Sequence, residues 1–265
     1  MKTKHTIIVG DALEQLKKLP DESIDLIFAD PPYNMSKKKG LGWKYSKHIT
    51  MQEGWDMFSK DEYFKFNLEW IKEALRVLKH GGSLWICGSF HNIYQVGFIL
   101  QYYNDVKINN SIVWFKPNAQ PNITCRFFTE STEHLIWASK NGNGKKWKFN
   151  YEWSKQIEDS LNPKGKQTRN VWSIPLTPKK EKWAGVHPTQ KPEELLRRVI
   201  LSCTNEGDTV LDPFLGSGTT SVVAKRFNRN SIGIELNKKY LPLIKKRLNP
   251  TQKTLNDDSK IKIIL

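Results

Sequence analysis

Apolar residues follow two alternating patterns along most of the chain: short continuous runs, and longer stretches with apolar positions three or four residues apart. The first pattern is typical of buried strands and the second of helices that cover a sheet. The predicted strands lie at 6–9, 23–28, 83–87, 111–115, 209–211 and 231–235, and the predicted helices at 12–19, 64–78, 91–102, 195–203, 219–227 and 238–248. This alternation predicts an α/β fold.

The helix at 64–78 has recognisable signals at both ends. Ser59 and Glu62, three residues apart, predict a capping box at its start. Apolar residues at 64, 68, 71, 75 and 78 predict its buried face, and the pair Gly81-Gly82 predicts its end. The last apolar run of the chain, 261–265, fits no predicted element.

The periodicity is lost between Lys116 and about Trp183, where Pro, Asn, Lys and aromatic residues dominate. Between 140 and 182, eleven Lys and Arg residues stand against four Asp and Glu. The aromatic residues of this stretch need a surface to pack on, which favours a folded insertion over a linker: Trp147, Phe149, Tyr151, Trp153 and Trp172. We therefore predict segments at 1–115, 116–183, 184–249 and 250–265.

The charge balance adds an expectation about partners. The 265 residues carry 42 Lys and Arg against 27 Asp and Glu, a formal net charge of +15, and the sequence pI is about 9.6. Such a balance favours a polyanionic partner, nucleic acid first. A basic protein without such a partner is the alternative.

Cysteine and histidine are too scattered for a metal site or a disulfide framework. Cys87, Cys125 and Cys203 form no CxxC pair, and the six histidines form no HxxxH pair. We predict no metal and a reducing compartment, the cytoplasm. No run of 18 apolar residues occurs and the first ten residues lack an apolar core, so we predict no membrane span and no signal peptide.

The strand predicted at 23–28 ends in an unusual turn, Asp30-Pro31-Pro32-Tyr33. The two prolines stop the strand and stiffen the turn. A carboxylate and a phenol are thereby held at the end of a buried strand. Taken alone, such a turn is also a common way for a strand to end.

A second strand ends in an acid and a glycine turn, Asp212-Pro213-Phe214-Leu215-Gly216-Ser217-Gly218-Thr219. Glycines permit tight backbone angles and the close approach of a ligand. The next strand ends in Glu235, and an acid at that place suits the ribose hydroxyls of an adenosine group.

The same residues narrow the class of ligand. Thr219 stands where a phosphate-binding P-loop has lysine, and Ser221 stands where a dinucleotide site has its third glycine. Asp212 would repel a pyrophosphate and attract an ammonium group. This combination predicts S-adenosylmethionine, with an ordinary tight strand-to-helix turn as the alternative.

The two motifs together resemble those of the amino-group DNA methyltransferases. The catalytic motif comes first, a variable segment follows and the cofactor motif comes last, an order similar to the beta class. His187-Pro188-Thr189-Gln190-Lys191-Pro192 resembles the string that this class carries before its cofactor strand. The resemblance runs from Gly10 to Lys238 and implies a circularly permuted, Rossmann-like methyltransferase fold. Its parts are a catalytic half (1–115), a target-recognition insertion (116–183), a cofactor-binding half (184–249) and a tail (250–265).

The resemblance also implies a set of cofactor-binding residues. These are Asp11, Ala12, Asp30, His187, Thr189, Lys191, Asp212, Phe214, Gly216, Ser217, Gly218, Thr219, Glu235 and Leu236. Asp11 would face the cofactor adenine, although it can equally cap the first helix. His187, Thr189 and Lys191 would approach the methionine carboxylate, although they can equally be loop residues before a helix that starts with proline.

Catalysis follows from the chemistry of adenine N6, whose lone pair is delocalised into the ring. The Asp30 carboxylate and the Pro31 carbonyl can each accept one N6 hydrogen and aim the lone pair at a methyl group. Pro31 and Pro32 keep that turn rigid, and Tyr33 can stack on the base, a contact worth about 1–3 kcal/mol. Because the atom is buried in a duplex, the base must be flipped out.

Two other functions fit parts of the sequence. N4-cytosine enzymes of the class are similar but usually carry serine at the position of Asp30, so Asp30 favours adenine. A catalytically silent DNA-binding module is the second alternative, against which the intact Asp30 and Tyr33 argue. Methylation at cytosine C5 needs a cysteine beside a proline, and no cysteine has that neighbour.

The variable segment and one lysine run are the predicted DNA-binding residues: Lys37, Lys38, Lys39, Asn122, Arg126, Arg169 and Lys179. The run at 37–39 can equally be a solvated surface stretch. Trp114 and Lys116 can equally pack in the sheet and carry surface charge, or flank the target base.

Longer strings resemble the second adenine methyltransferases of Dpn-type restriction-modification systems, which modify GATC and accept single strands. They are Gly88-Ser89-Phe90-His91-Asn92-Ile93-Tyr94, Cys125-Arg126-Phe127-Phe128 and Glu181-Lys182-Trp183-Ala184-Gly185. This resemblance implies double-stranded DNA, and also single-stranded DNA, as substrate in a bacterial cytoplasm. It leaves open a homodimer and a cognate restriction endonuclease that acts on the same site.

Overall fold

The computed structural model describes residues 2–34, 58–122, 124–142, 144, 146–249 and 260–265. Within them the strands are β1 (Lys4–Val9), β2 (Ile24–Ala29), β3 (Leu78–Gly88), β4 (Val106–Phe115), β5 (Thr132–Lys140), β6 (Val171–Ser173), β7 (Thr209–Asp212), β8 (Asn230–Glu235) and β9 (Lys260–Ile264). The helices are α1 (Ala12–Leu16), α2 (Lys60–Val77), α3 (Ile93–Gln101), α4 (Tyr151–Ser154), α5 (Glu193–Cys203), α6 (Thr219–Arg226) and α7 (Leu241–Leu248).

The described strands form one mixed sheet in the order β6-β4-β5-β3-β2-β7-β8-β1-β9. β5 is antiparallel to both of its neighbours, and the other pairs are parallel. The chain builds outwards from β2 to β3 on one side and from β7 to β8 on the other. The direction of winding therefore reverses between β2 and β7, which is where open α/β sheets bind their ligands.

The central strand β2 shows why the apolar runs are continuous. Leu26 and Phe28 pack in the core on one face of the sheet, whereas Ile27 and Ala29 pack in the core on the other. Successive side chains of a strand point to opposite faces, so a strand covered on both sides needs apolar residues at every position. The sheet is thus the middle of three layers.

The start of α2 confirms the predicted capping box. The Ser59 hydroxyl accepts from the Glu62 backbone N–H at 3.3 Å, and the Glu62 carboxylate accepts from the Ser59 N–H at 2.9 Å. Phe58 precedes the cap and packs on Tyr63, with ring centroids 5.7 Å apart. This contact is a hydrophobic staple, which fixes the direction in which the chain enters the helix.

The predicted end and part of the predicted face of α2 are wrong. The helix ends at Val77, and Gly81-Gly82 lies inside β3, where the register with β2 jumps from Leu78 to Ser83. Gly81 has a φ of +81°, so the pair forms a bulge rather than a helix stop.

Two apolar positions of the predicted α2 face point away from the core. Phe64 and Leu68 are exposed, and the polar Asn67 takes the buried place between them. Asn67 accepts from the Trp70 indole at 2.9 Å and donates to Gln95 at 2.8 Å. Hydrogen bonds thus compensate for the burial of an amide where an apolar residue was predicted.

The predicted insertion at 116–183 contains a strand that sequence periodicity missed. β5 pairs with β4 along its whole length and with β3 from His134 to Ser139, so this part of the range belongs to the sheet. The expected packing of the five aromatic residues is met only in part. Trp172 is buried 6.0 Å from Trp85, and Trp147 packs partly buried against the same core. Phe149 and Tyr151 are exposed. That the remainder of the range reads DNA sequence stays a prediction.

The C-terminal apolar run, which fitted no predicted element, forms the edge strand β9. It lies parallel to β1, with Lys4 opposite Lys260 and Ile8 opposite Ile264. Ile261 and Ile263 pack on the core beside α7. Among the described helices, none has both the length and the apolar character that crossing a membrane requires.

A buried ion pair joins the variable segment to α5. Arg198 donates to Asp159 at 2.7 Å and to Glu194 at 2.9 Å, and its side chain is only 2% exposed. Burial alone would raise the pKa of Asp159, but hydrogen bonds from Arg198, Leu161 and Asn162 outweigh it and hold the pKa below its usual value. The pair therefore fixes the segment against the cofactor-binding half.

We expect Arg198→Ala to lower the free energy of unfolding by about 3–5 kcal/mol, because it leaves Asp159 buried without its cation. Chemical denaturation followed by circular dichroism measures this change. Arg197→Ala is the matched control, since Arg197 pairs with Glu194 at a site that is 32% exposed, and it should cost less than about 1 kcal/mol. Equal losses in the two variants would contradict a special role for the buried pair.

Candidate active site

Two acidic strand ends lie next to each other in the sheet. β2 and β7 are parallel neighbours, with Ile27 opposite Leu211. Asp30 follows β2 directly and Asp212 is the last residue of β7, so both carboxylates lie at the same edge. The residues are 182 positions apart in the sequence, and only the pairing of these two strands brings them together.

A cavity of about 370 Å³ opens at this edge, a size suited to a small ligand. It is lined by every predicted cofactor-binding residue except Gly218: Asp11, Ala12, Asp30, His187, Thr189, Lys191, Asp212, Phe214, Gly216, Ser217, Thr219, Glu235 and Leu236. Gly218 lies in the turn itself, with φ +81°, and its N–H donates to the Leu215 carbonyl at 3.0 Å.

Asp212 is a buried acid on the cavity wall. Its carboxylate accepts from the Phe214 N–H at 2.9 Å and from the Thr220 hydroxyl. Burial raises the pKa of Asp212 to about 7, in spite of these hydrogen bonds. In the described part of the chain no lysine or arginine pairs with this carboxylate. A cationic group of a ligand would supply the positive charge that the Asp212 carboxylate lacks.

Glu235 ties two turns of the cavity together. One carboxylate oxygen accepts from the Gly216 N–H and the other from the Asn237 N–H, each at 2.8 Å. The Glu235 carbonyl also accepts from the Gly10 N–H at 3.0 Å. The carboxylate is therefore held in one orientation before any ligand arrives.

The glycine turn is closely packed against His187. Gly216 has a φ of +55°, and a Cβ atom built there would lie 3.1 Å from the His187 ring. The His187 ring also packs on Tyr240, with centroids 4.2 Å apart. Its Nδ1 accepts from the Thr189 N–H at 3.3 Å, which assigns the proton of the neutral ring to Nε2.

Arg247 braces the same turn, a role that sequence reasoning missed. From α7 its guanidinium donates to the Ser217 carbonyl at 3.0 Å and to the Thr219 hydroxyl at 2.8 Å. Its other branch donates to Glu193 at 3.0 Å. In the sequence it is one basic residue in a basic helix, so nothing distinguishes it from its exposed neighbours.

Two aromatic rings line the cavity. They belong to Phe58 and Phe66, and they stack with centroids 5.1 Å apart. Asp11 also lines the cavity and caps α1, accepting from the Glu14 N–H at 3.1 Å. Both proposed roles of Asp11 are therefore compatible. Phe58 could have been found from its place before the capping box.

The Asp30 turn is part of a buried charge network. The Tyr33 hydroxyl donates to Asp30 Oδ1 at 2.7 Å, and Lys191 Nζ lies 2.7 Å from Asp30 Oδ2. Glu133 of β5 binds the same two donors, at 3.2 Å from the Tyr33 hydroxyl and 3.5 Å from Lys191 Nζ. Lys116 completes the group at 3.3 Å from Glu133. Two carboxylates and two ammonium groups thus balance each other.

The network gives the carboxylates of Asp30 and Glu133 different proton affinities. Burial raises the pKa of Asp30; Lys191 lowers it only in part, and Glu133 raises it again. Burial alone would raise the pKa of Glu133 too, but Lys191 and Lys116 outweigh it and lower that pKa. Of the two carboxylates, Asp30 is therefore the one that more readily accepts a proton.

Several predicted residues have different surroundings from those expected. Lys191 pairs with Asp30 and Glu133, so its approach to a methionine carboxylate stays a prediction. Pro31 is buried, and the Pro32 carbonyl accepts from the Tyr63 hydroxyl at 2.6 Å. Lys116 is buried in the network rather than a surface charge.

Trp114 is a packing residue. Its ring is buried in the core beneath the variable segment, and the indole N–H donates to the Ile174 carbonyl at 2.6 Å. With both its ring and its polar atom engaged, Trp114 is explained by the packing of β4. It need not flank a base.

The structure describes four of the seven predicted DNA-binding residues. Lys37, Lys38 and Lys39 lie outside the described residues. Asn122 shapes its own loop, because its Oδ1 accepts from the N–H and hydroxyl of Thr124. The other three are exposed and form no ion pair with another described residue: Arg126, Arg169 and Lys179. Their contacts with DNA remain predictions.

Comparison with known proteins agrees with this geometry. The sequence profile of the DNA methylase family matches residues 24–246. The chain belongs to this family. The expected resemblance is thereby confirmed, and the match covers both the Asp30 turn and the Gly216 turn.

Individual methyltransferases are similar to this chain over nearly its whole length. It is 47% identical to the type II methyltransferase M2.DpnII of Streptococcus pneumoniae over 96% of this chain and 92% of the relative. It is 48% identical to M2.LlaDCHI of Lactococcus lactis subsp. cremoris, over 92% and 88%. It is 43% identical to M.HinfI of Haemophilus influenzae, over 96% and 70%.

Solved structures confirm the expected methyltransferase fold. The M1.HpyAVI complex with S-adenosylmethionine superposes with a TM-score of 0.66 at 30% identity, over 92% of this chain and 99% of that one. The cytosine-N4-specific PvuII methyltransferase superposes with a TM-score of 0.73 at 21% identity, over 99% and 96%. The second likeness is one of fold alone.

The pKa of Asp212 predicts a pH-dependent affinity for the expected cofactor. An ammonium group binds the ionised carboxylate, so below pH 7 binding must first remove a proton. The affinity should therefore rise about tenfold between pH 6 and pH 8, and then level off. Calorimetric titration with S-adenosylhomocysteine, which keeps the amino acid group, measures it.

Two variants control for other titrating groups. Asp212→Asn should bind more weakly and lose the rise with pH that is due to this carboxylate, whereas Glu235→Gln should bind more weakly and keep it. The ligand's own amine titrates equally in all three proteins. An unchanged pH profile in Asp212→Asn would remove Asp212 from the cofactor contact.

Glu133 should act as a positioning residue for Asp30. In Glu133→Gln, Asp30 is the one remaining carboxylate of the network that pairs with Lys191. The substitution also removes a negative charge that raises the pKa of Asp30. We expect methyl transfer to DNA to slow by about 10²-fold through misplacement of Asp30. The acid limb of the rate profile should move to lower pH, and cofactor affinity should stay unchanged.

The exposed neighbour Glu130 provides the matched control for Glu133. Glu130→Gln should retain the wild-type rate, and Glu133→Asp should restore part of the lost activity. A Glu133→Gln protein with a normal rate and an unmoved acid limb would show that Glu133 only packs.

Proposed function

We propose that this DNA methylase transfers a methyl group from S-adenosylmethionine to N6 of an adenine flipped out of DNA. One observation carries the proposal: Asp30 lines the same cavity as Asp212 and Glu235. A base held at Asp30 and a cofactor held at the two other acids would meet inside one enclosed space. Proximity and orientation are what such a displacement needs.

The chemistry of the cavity fits this cofactor. Asp212 lacks a cationic partner in the described chain, Glu235 presents preorganised acceptors, and Phe58 with Phe66 offers flat apolar faces. These groups suit an ammonium, ribose hydroxyls and an adenine ring in turn. When bound, S-adenosylmethionine supplies an electrophilic methyl group on a sulfonium. The similar M1.HpyAVI protein was solved as its complex with S-adenosylmethionine.

Asp30 is the residue that would receive the amine. In the free protein its two oxygens accept from Tyr33 and Lys191. These donors orient the carboxylate, and each oxygen keeps a lone pair for an N6 hydrogen. The rigid Pro31-Pro32 turn would offer a backbone carbonyl as the second acceptor, with Tyr63 holding the turn from α2.

The same network provides a place for the proton that N6 must lose. Asp30 has a raised pKa, so its carboxylate can take that proton, whereas Glu133 stays ionised. Lys191 remains charged because Asp30 and Glu133 raise its pKa against the effect of burial. The positive charge of Lys191 would offset the repulsion between the neighbouring acidic groups of Asp30 and Glu133, both before and after Asp30 takes the proton.

The biological setting follows from the named relatives. M2.DpnII, M2.LlaDCHI and M.HinfI are type II methyltransferases, and we assign this chain to a restriction-modification system on that similarity. The motifs resembling Dpn-type enzymes make GATC the first site to test, on double-stranded and single-stranded DNA. A homodimer and a restriction endonuclease for the same site belong to the same proposal.

Substitution of Asp30 tests the proposed reaction. We expect Asp30→Ala to reduce transfer of labelled methyl groups to DNA by at least about 10³-fold, while binding of S-adenosylhomocysteine persists. Asp105→Ala, at the opposite edge of the sheet, should behave as wild type. Equal incorporation by Asp30→Ala and wild type would refute the catalytic assignment.

Identification of the modified nucleoside tests the proposed target. Digestion of the methylated DNA and mass spectrometry should yield N6-methyladenine. Recovery of N4-methylcytosine would instead favour methylation of cytosine N4, the specificity of the PvuII methyltransferase. No incorporation by the wild-type protein on any DNA would favour a silent DNA-binding module.

A further inference from the structure

The loop between β4 and β5 begins and ends at the catalytic network. The Lys116 N–H donates to the Ser131 carbonyl at 2.7 Å and closes the base of the loop. The Lys116 ammonium contacts Glu133, which contacts the Tyr33 hydroxyl. Because β4 is parallel to β2 through two antiparallel pairings, the loop leaves the sheet at the edge that carries Asp30.

Two phenylalanines of this loop project into solvent. Phe127 is 76% exposed and Phe128 is fully exposed. All residues from 124 to 130 are exposed, and neither ring stacks on another ring of the described chain. Adjacent exposed aromatic side chains on a monomer indicate a binding function more often than packing.

The loop backbone is nevertheless shaped by specific contacts. Asn122 Oδ1 accepts from the Thr124 N–H and hydroxyl, and the Cys125 N–H donates to the Asn122 carbonyl at 3.1 Å. Cys125 adopts a left-handed backbone, with φ +53°. The phenylalanines are thus carried on a defined turn.

The charges around the pair indicate the chemistry of its ligand. Arg126 precedes the two rings and forms no ion pair within the described part of the chain. The carboxylate of Glu130 is directed back to the N–H and hydroxyl of Thr132. A ligand with flat apolar faces and negative charges therefore fits, and nucleobases joined by phosphates have both.

We propose that Phe127 and Phe128 enter the base stack of DNA at the place that the flipped adenine vacates, while Arg126 contacts a neighbouring phosphate. This inference rests on the proposed function, because it requires a base to leave the duplex beside Asp30. Flipping costs the stacking of the target base. Aromatic rings that replace this stacking lower the cost of opening a paired duplex, and they contribute little when the target is already unpaired.

Two substrates separate this role from general DNA binding. Both are duplexes with the site that the wild-type protein methylates, GATC being the first tested. In one the target adenine faces thymine, and in the other it faces an abasic position. We expect Phe127→Ala/Phe128→Ala to lower kcat/KM at least tenfold on the paired duplex and less than threefold on the abasic duplex. Fluorescence of 2-aminopurine at the target position should also rise less on binding.

The controls exploit a second exposed aromatic pair. Phe98 of α3 and Tyr102, which directly follows this helix, are exposed, with ring centroids 5.0 Å apart, but lie towards the opposite edge of the sheet. Their double alanine variant should behave as wild type on both duplexes. Phe127→Trp/Phe128→Trp should retain activity on the paired duplex. Arg126→Gln should weaken binding to both duplexes and reduce its dependence on salt.

Four outcomes would overturn the inference. Equal losses on the two duplexes would place the pair in general DNA binding, and unchanged activity on both would remove it from the site. Normal activity together with altered sedimentation would make the pair a contact with a second copy of the chain. If wild type methylates neither duplex nor any other DNA, the proposed function itself has failed, and this inference fails with it.

Discussion

The parallel pairing of β2 with β7 is the constraint on which the site depends. These two short strands bring together Asp30 and Asp212, which the sequence separates by most of the chain. The sheet winds away from this pair in both directions, so none of the described helices crosses the edge between them. That leaves the cavity open at the place where both strands end.

Part of this structure could be predicted from local patterns in the sequence. The capping box at Ser59, the glycine turn at 216–218 and the stiff turn at Asp30 depend on residues close in the chain, and each lies where its pattern predicts. The Gly81-Gly82 pair shows the limit of such signals. Glycine permits a positive φ both after a helix and within a bulge, and only the register between β2 and β3 distinguishes the two.

The residues that sequence reasoning missed are those defined by distant partners. Glu133 lies in a stretch where the sequence predicts no strand, Lys116 reads either as a surface charge or as a neighbour of the target base, and Arg247 reads as one cation in a basic helix. Each becomes buried because the fold brings an opposite charge or a backbone carbonyl to it. Strand β5 was missed for a related reason. Its apolar run is short and its burial comes from β3 and β4, which the local pattern does not contain.

The two carboxylates of the cavity are compensated differently, and under the proposed function this asymmetry would account for their different roles. Asp30 is held by Lys191 and Tyr33, so its charge is satisfied without a ligand. Asp212 has only neutral donors among the described residues, and burial raises its pKa to about 7. A cationic ligand group gains more at Asp212, where no lysine competes for the carboxylate. A neutral amine that donates two hydrogens is better placed at Asp30, whose charge is already balanced. Under the proposed function, charge would thus direct the cofactor to Asp212 and the base to Asp30 before either makes a specific contact.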